Sequence, residues 1–207
     1  MEKAKKVIDY YILCNRLKNV IRTGWKNWKV SADRLESVAE HVYGVQMLAI
    51  AMNSEYNYDI DIEKVIYMLA IHELGETIIG DITQFQIDKE EKEKIEHQAV
   101  HEILENLIDG EEIEKLFLEF DKHETKEAMF AYQCDKLECD IQSKLYDQYV
   151  DLNHQEGNDT ANDSFVQEIM KEGGTFSDMW IKFGQRKYPY DENFMSVSQY
   201  VLKNKIK

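Results

Sequence analysis

A single proline, Pro189, and nine glycines are spread over 207 residues. So few breakers leave little material for the tight turns that short strands need, and helices are favoured. The apolar spacing agrees. Over 4–21, Val7, Tyr10, Tyr11, Leu13, Cys14, Leu17, Val20 and Ile21 form a helical stripe that predicts a stop at Gly24. Ser37-Val38-Ala39-Glu40 is a capping box that opens a helix to about Asn53, with Val38, His41, Val45, Leu48, Ala49 and Met52 inward. Asp59 or Asp61 caps a helix over 62–75, terminated by Gly75, and 77–86 reads as a loop. A second capping box, Asp88-Lys89-Glu90-Glu91, starts a charged helix that runs to about Ile108, and Asp109-Gly110 breaks it. After a short helix to His123, Thr125 caps a long one over 126–150, and 151–163 reads as a polar loop. Ser164 and Ser177 cap two C-terminal helices, and the last starts near Asp191. The expectation is an all-α chain with one domain over 1–207, a motif-bearing core at about 10–150 and C-terminal helices at about 164–204.

The formal charge, 25 − 40 = −15, repels polyanions, so a nucleic-acid polymer is not an expected partner. It does not exclude a small phosphorylated ligand held by a few local cations. No run of about 18 apolar residues indicates a membrane span. Asp9 and Asn15 interrupt any signal-peptide core near the start, so the expected location is cytoplasmic. Cys14, Cys134 and Cys139 are odd in number and lack CxxC spacing, which fits reduced thiols.

Chemistry concentrates in Ile71-His72-Glu73-Leu74-Gly75-Glu76 and Gly80-Asp81-Ile82-Thr83. Here one imidazole and three carboxylates fall in ten positions of an apolar segment. His41 and Asp135 also project from apolar faces of other expected helices. An unpaired carboxylate on such a face would cost several kcal/mol, so it needs a partner. Imidazole nitrogens and carboxylate oxygens converging in one pocket suit a divalent metal, with His41, His72, Glu73 and Asp135 as ligands. Taken singly, His41 and Asp135 could equally be hydrogen-bonded core residues. Glu76, one turn past His72, and Asp81 can orient a metal-bound water or move its proton. Arg22, with Lys26 and Lys29 nearby, can take a phosphate, and Trp25 can pack on a sugar or base. His97 and His101, spaced i, i+4 in a highly charged helix, read as surface residues.

Five stretches carry a resemblance in order and spacing. They are Arg22-Thr23-Gly24-Trp25, Glu36-Ser37-Val38-Ala39-Glu40-His41, His72-Glu73-Leu74-Gly75-Glu76, Gly80-Asp81-Ile82-Thr83 and Gln133-Cys134-Asp135-Lys136-Leu137-Glu138. Together they resemble the HD-domain metal-dependent phosphohydrolases, within them the 5′-deoxynucleotidase-like group of small HD proteins. Phe176-Ser177-Asp178-Met179-Trp180 looks like that group's C-terminal region.

The resemblance implies a compact all-α HD fold and one divalent ion (Co, Mn, Zn, Fe, Ni or Mg) on His41, His72, Glu73 and Asp135. It implies Glu76 and Asp81 in or near catalysis and Arg22 with Trp25 at the nucleotide. It also implies a homodimer and hydrolysis of a nucleoside 5′-monophosphate to nucleoside and phosphate. Two positions depart from the pattern: His72-Glu73 stands where the family has His-Asp, and Gln84 stands where it often has proline. Two alternatives stay open. One is an HD hydrolase of a triphosphate or signalling nucleotide; the other is a catalytically weak nucleotide-binding module.

Overall fold

The computed structural model describes residues 1–83 and 85–206, so Gln84 lies outside the described residues. Twelve α-helices follow one another among them: α1 (Glu2–Cys14), α2 (Thr23–Asn27), α3 (Val38–Tyr56), α4 (Ile62–Ile71), α5 (Glu76–Ile79), α6 (Lys89–Leu104), α7 (Gly110–Lys122), α8 (Lys126–Leu145), α9 (Asp159–Asn162), α10 (Ser164–Lys171), α11 (Phe176–Lys187) and α12 (Glu192–Lys203). Among the described residues there is no strand, only an isolated antiparallel bridge between Ile21 and Ser37. The all-α expectation is met. No helix is long and apolar enough to cross a membrane, among the described residues.

The backbone sorts into two compact units. The first comprises Met1–Thr23 and Glu36–Tyr132, the second Gly24–Leu35 and Gln133–Lys207. Helix α8 starts in the first and continues in the second.

In the first unit, α3 and α4 pack together, and α3 buries Val38, Val45, Ala49 and Met52 while α4 buries Val65, Met68 and Leu69. A fully buried side chain of this size contributes about 1.5–3 kcal/mol through area removed from water. The Ser37–Glu40 capping box forms as expected, and Asp61 caps α4 by accepting from the Lys64 amide. A second cluster joins Ile71 and Leu74 to Val100, Ile103, Leu104 and Phe117.

Several boundaries differ from the sequence reading. Helix α1 ends at Cys14, a 3-10 turn fills Asn15–Asn19, and Gly24 lies inside α2. Helix α4 ends at Ile71, before Gly75, whose φ of −58° is ordinary. What Gly75 provides is room: a Cβ there would lie 2.8 Å from Glu96 Cγ on α6. Residues 77–79, expected in a loop, belong to α5. Helix α6 ends at Leu104, and Gly110 begins α7 because a Cβ would sit 2.1 Å from the Leu104 carbonyl oxygen.

The second unit has its own apolar cluster, where Trp25, Trp28 and Val30 meet Tyr146, Val166, Ile169, Phe176 and Met179. Its caps sit one or two residues before the expected serines. Asp163 caps α10, and Thr175 with Asp178 forms a capping box on α11. Ser177 instead donates its amide and hydroxyl to the Asp147 carboxylate, both at 2.7 Å. Asp191 caps α12 as expected. Helix α8 ends at Leu145, and α9 forms within the segment expected to be a loop.

Candidate metal centre and catalytic carboxylates

His41 lies one turn into α3, on the face that its Val38–Val45 spacing turns inward, and is fully buried. His72 caps the C-terminus of α4 and is 3 % exposed. Its Nδ1 donates to the Leu69 carbonyl at 2.8 Å. That bond selects the tautomer in which Nε2 carries the lone pair.

Both histidines present Nε2 to the same atom. His41 Nε2 and His72 Nε2 each stand 3.7 Å from Glu73 Oε1. This is too long for a hydrogen bond. Two bonds of about 2.1 Å meeting near a tetrahedral angle would span about 3.4 Å, close to that separation. The ligand atoms of His41, His72 and Glu73 all lie within 4.8 Å of one another. A lone-pair nitrogen facing a carboxylate oxygen calls for a cation between them, so these residues fit a divalent ion. The extra methylene of Glu73 does not carry its carboxylate away from the histidines. Oε1 also accepts from Arg22 Nη1 at 2.9 Å, in a pair that is mostly buried.

Glu76 opens α5 and is 1 % exposed. Burial, then the charges of Glu73 and Asp81, push its carboxyl well above the usual carboxylate range, against a smaller lowering by Arg22 and Lys92. Among the described residues, Oε2 has no hydrogen-bond partner. Asp81 follows Gly80, whose φ of +75° turns the chain out of α5. Its Oδ2 accepts from the Thr23 amide, and its carbonyl accepts from the Thr23 hydroxyl at 2.7 Å. Sequence reasoning missed this anchor, because the partners are 58 positions apart and neither has a spacing that signals the other.

Arg22, His41, His72, Glu73, Glu76 and Asp81 thus belong to the first unit, as does Thr23. The first unit brings Arg22 together with His41, His72 and Glu73. Asp135 and Trp25 belong to the second. Asp135 is a buried carboxylate on α8 that pairs with Lys136 Nζ at 2.8 Å. Trp25 is 1 % exposed, packed against Tyr146, Phe176 and Trp180, and so serves the apolar cluster. Lys29 Nζ donates to the carbonyls of His154 and Glu156 at 3.2 and 2.8 Å. His97 and His101 are tied to α7: His97 Nε2 lies 2.7 Å from Asp121 Oδ2, and His101 Nδ1 3.0 Å from Glu114 Oε2.

A family model described as an HD domain matches residues 14–187. The chain is 34 % identical over 148 residues to the 5′-deoxynucleotidase HDDC2 of Dictyostelium discoideum, spanning 68 % of this chain and 77 % of that one. It is 30 % identical over 157 residues to the 5′-deoxynucleotidase HDDC2 of Homo sapiens, spanning 74 % and 73 %. Among solved structures, a conserved hypothetical protein from Pyrococcus furiosus superposes with a TM-score of 0.67 at 26 % identity, covering 95 % of this chain and 99 % of that one. A buried pair of histidines on one carboxylate, in a helical frame of this kind, and a family match over most of the length agree: the chain belongs to the HD domain family.

Proposed function

We propose that this chain is a divalent-metal-dependent phosphomonoesterase that hydrolyses deoxynucleoside 5′-monophosphates to nucleoside and phosphate. One observation carries the reading: two imidazole Nε2 atoms and a guanidinium converge on one oxygen of Glu73. The names of the HD relatives, 5′-deoxynucleotidases, supply the substrate class.

His41, His72 and Glu73 would hold the ion, and Asp135 is proposed as the fourth ligand because it is a buried carboxylate, the donor type such an ion takes. When bound, a divalent ion supplies a water of lowered pKa and polarises a phosphoryl oxygen. Arg22 would neutralise a phosphate oxygen, a task suited to the charge and planar fork of a guanidinium. Glu76 holds or releases a proton at Oε2, its carboxyl being pushed by burial well above the usual carboxylate range. Asp81 orients or protonates the leaving 5′-oxygen. Trp25 backs the segment after Arg22 from within the apolar cluster. The mixed imidazole and carboxylate donor set suits Co, Mn, Zn, Fe or Ni more than Mg.

A cytoplasmic location accords with three cysteines outside any disulfide. A homodimer accords with Tyr43, Met47 and Ile50, which expose one apolar stripe of α3.

The test is a panel of nucleoside mono- and triphosphates, assayed for released phosphate with each divalent metal after chelator stripping. Wild type and Glu73→Asp are compared. Orthophosphate from monophosphates, abolished by stripping, is the expected result. Pyrophosphate or triphosphate release would move the chain to another HD hydrolase. Substoichiometric metal under every supplement would leave a binding module.

A further inference from the structure

We propose that Thr23 is a positioning residue for the reaction, fixing which oxygen of Asp81 does chemistry; this rests on the phosphomonoesterase reading. Residues 20–22 form an extended strap that leads into α2 at Thr23. Val38 donates its amide to the Val20 carbonyl at 2.8 Å, and Arg22 donates to the Glu36 carbonyl at 3.1 Å, on either side of the Ile21–Ser37 bridge. The strap is therefore registered to the start of α3, the helix that carries His41, whose own amide donates to the Ser37 carbonyl at 3.1 Å.

From this fixed edge, neighbouring residues reach two site carboxylates. Arg22 takes Glu73, and Thr23 takes Asp81. Asp81 needs the second contact. It lies outside any helix, directly after a glycine at positive φ, where the backbone has wide freedom. A catalytic carboxylate must be held to within about 0.5 Å, and groups on loops are the hardest to hold.

Thr23 supplies two holds of different kinds. Its amide, the first of α2 and so without an intrahelical acceptor, binds Oδ2 and leaves Oδ1 as the working oxygen. Its hydroxyl binds the Asp81 carbonyl and fixes the main chain. Valine keeps the shape of threonine and loses the second hold; serine keeps it.

The experiment measures kcat and KM of Thr23→Val, Thr23→Ser, Asp81→Asn and the double variant Thr23→Val/Asp81→Asn, with thermal melting of each. Thr23→Val should lower kcat about tenfold with KM little changed, the scale of one lost hydrogen bond in the transition state. Thr23→Ser should restore kcat to within about twofold. In the Asp81→Asn background Thr23→Val should cost nothing further, since the oxygen it orients has lost its role. A wild-type kcat in Thr23→Val, or losses that simply multiply, overturns the proposal. Amide hydrogen exchange at residue 23, whose N–H is given to Asp81, reads the anchor without turnover and should quicken in Thr23→Val alone. A wild type that releases no phosphate while exchange responds this way overturns the phosphatase reading and keeps the anchor. Unchanged exchange in that case overturns the anchor as well.

Discussion

Glu76 in the first unit and Asp140 in the second are carboxylates of equal burial, each 1 % exposed. Burial is the largest influence on both and pushes both well above the ordinary carboxylate range. Their surroundings separate them. Glu76 faces two further carboxylates, Glu73 and Asp81, and its Oε2 has no hydrogen-bond partner among the described residues. Asp140 accepts from the Tyr190 hydroxyl at 2.9 Å, feels the charge of Lys136, and is closed over by Gly184. One acid is left incomplete among like charges, as a group that handles protons is. The other is completed by its neighbours, as a group that only fastens helices is.

The strongest way to break this contrast is Glu76→Gln. The amide keeps shape and polarity and cannot exchange a proton. Turnover should fall by about 10²–10⁴, the usual contribution of general acid–base catalysis. Bound metal, measured by elemental analysis, should stay stoichiometric. In chelator the variant should melt no lower than wild type, because replacing a carboxylate beside Glu73 and Asp81 relieves repulsion. Turnover near the wild-type value would remove Glu76 from the chemistry.

Next in size is Gly184→Ala, which probes the closure over Asp140. A Cβ would stand 2.3 Å from Asp140 Oδ2 and 2.8 Å from Oδ1. Such overpacking costs about 1–3 kcal/mol. For a chain of this length that lowers Tm by roughly 2–10 °C. Nucleotide turnover of the folded fraction should hold. An unchanged Tm would mean that Asp140 has room to move, and the fastening role would fail.

How far these roles were legible in the sequence follows from the range of the interactions behind them. The capping box at Ser37, the cap at Asp61 and the inward faces of α3 and α4 are set by residues three or four apart, so periodicity and cap chemistry found them. His41, His72 and Glu73 were found because ligand-type side chains interrupted those apolar faces, and five ordered motifs tied them together. Trp25 is 1 % exposed, which an aromatic beside Arg22 does not announce in the sequence and only the packing around it shows. Thr23–Asp81 and Asp140–Tyr190 join residues 58 and 50 positions apart. No local pattern marks such pairs. Gly75 and Gly110 read as helix breakers, yet they are small because something packs against them, and Gly184, which no turn rule marks at all, is small for the same reason.

The finest test of the contrast is the pH dependence of Asp140→Asn. A carboxyl whose folded pKa is raised above its unfolded value favours the folded state at acid pH, and that contribution is lost as pH rises through the folded pKa. Wild type should therefore carry a penalty at Asp140 that grows as pH rises from the unfolded pKa to the folded one and is constant above it, partly offset by Tyr190 and Lys136. The asparagine keeps an oxygen for the Tyr190 hydroxyl and has no charge to bury. The quantity to measure is the difference in Tm between variant and wild type at matched pH, which cancels every other titrating group. Below the unfolded carboxylate pKa the difference should be small and set by packing alone. It should then shift in favour of the variant as pH rises and level off above the folded pKa, with turnover equal to that of wild type at each pH. A difference that stays flat across the range would mean that the fold leaves the Asp140 pKa where the unfolded chain has it, so that the group is ionised in the fold at neutral pH. Its burial would then be compensated by Tyr190 and Lys136 more fully than that of Glu76, and the two acids would differ in charge state as well as in partners.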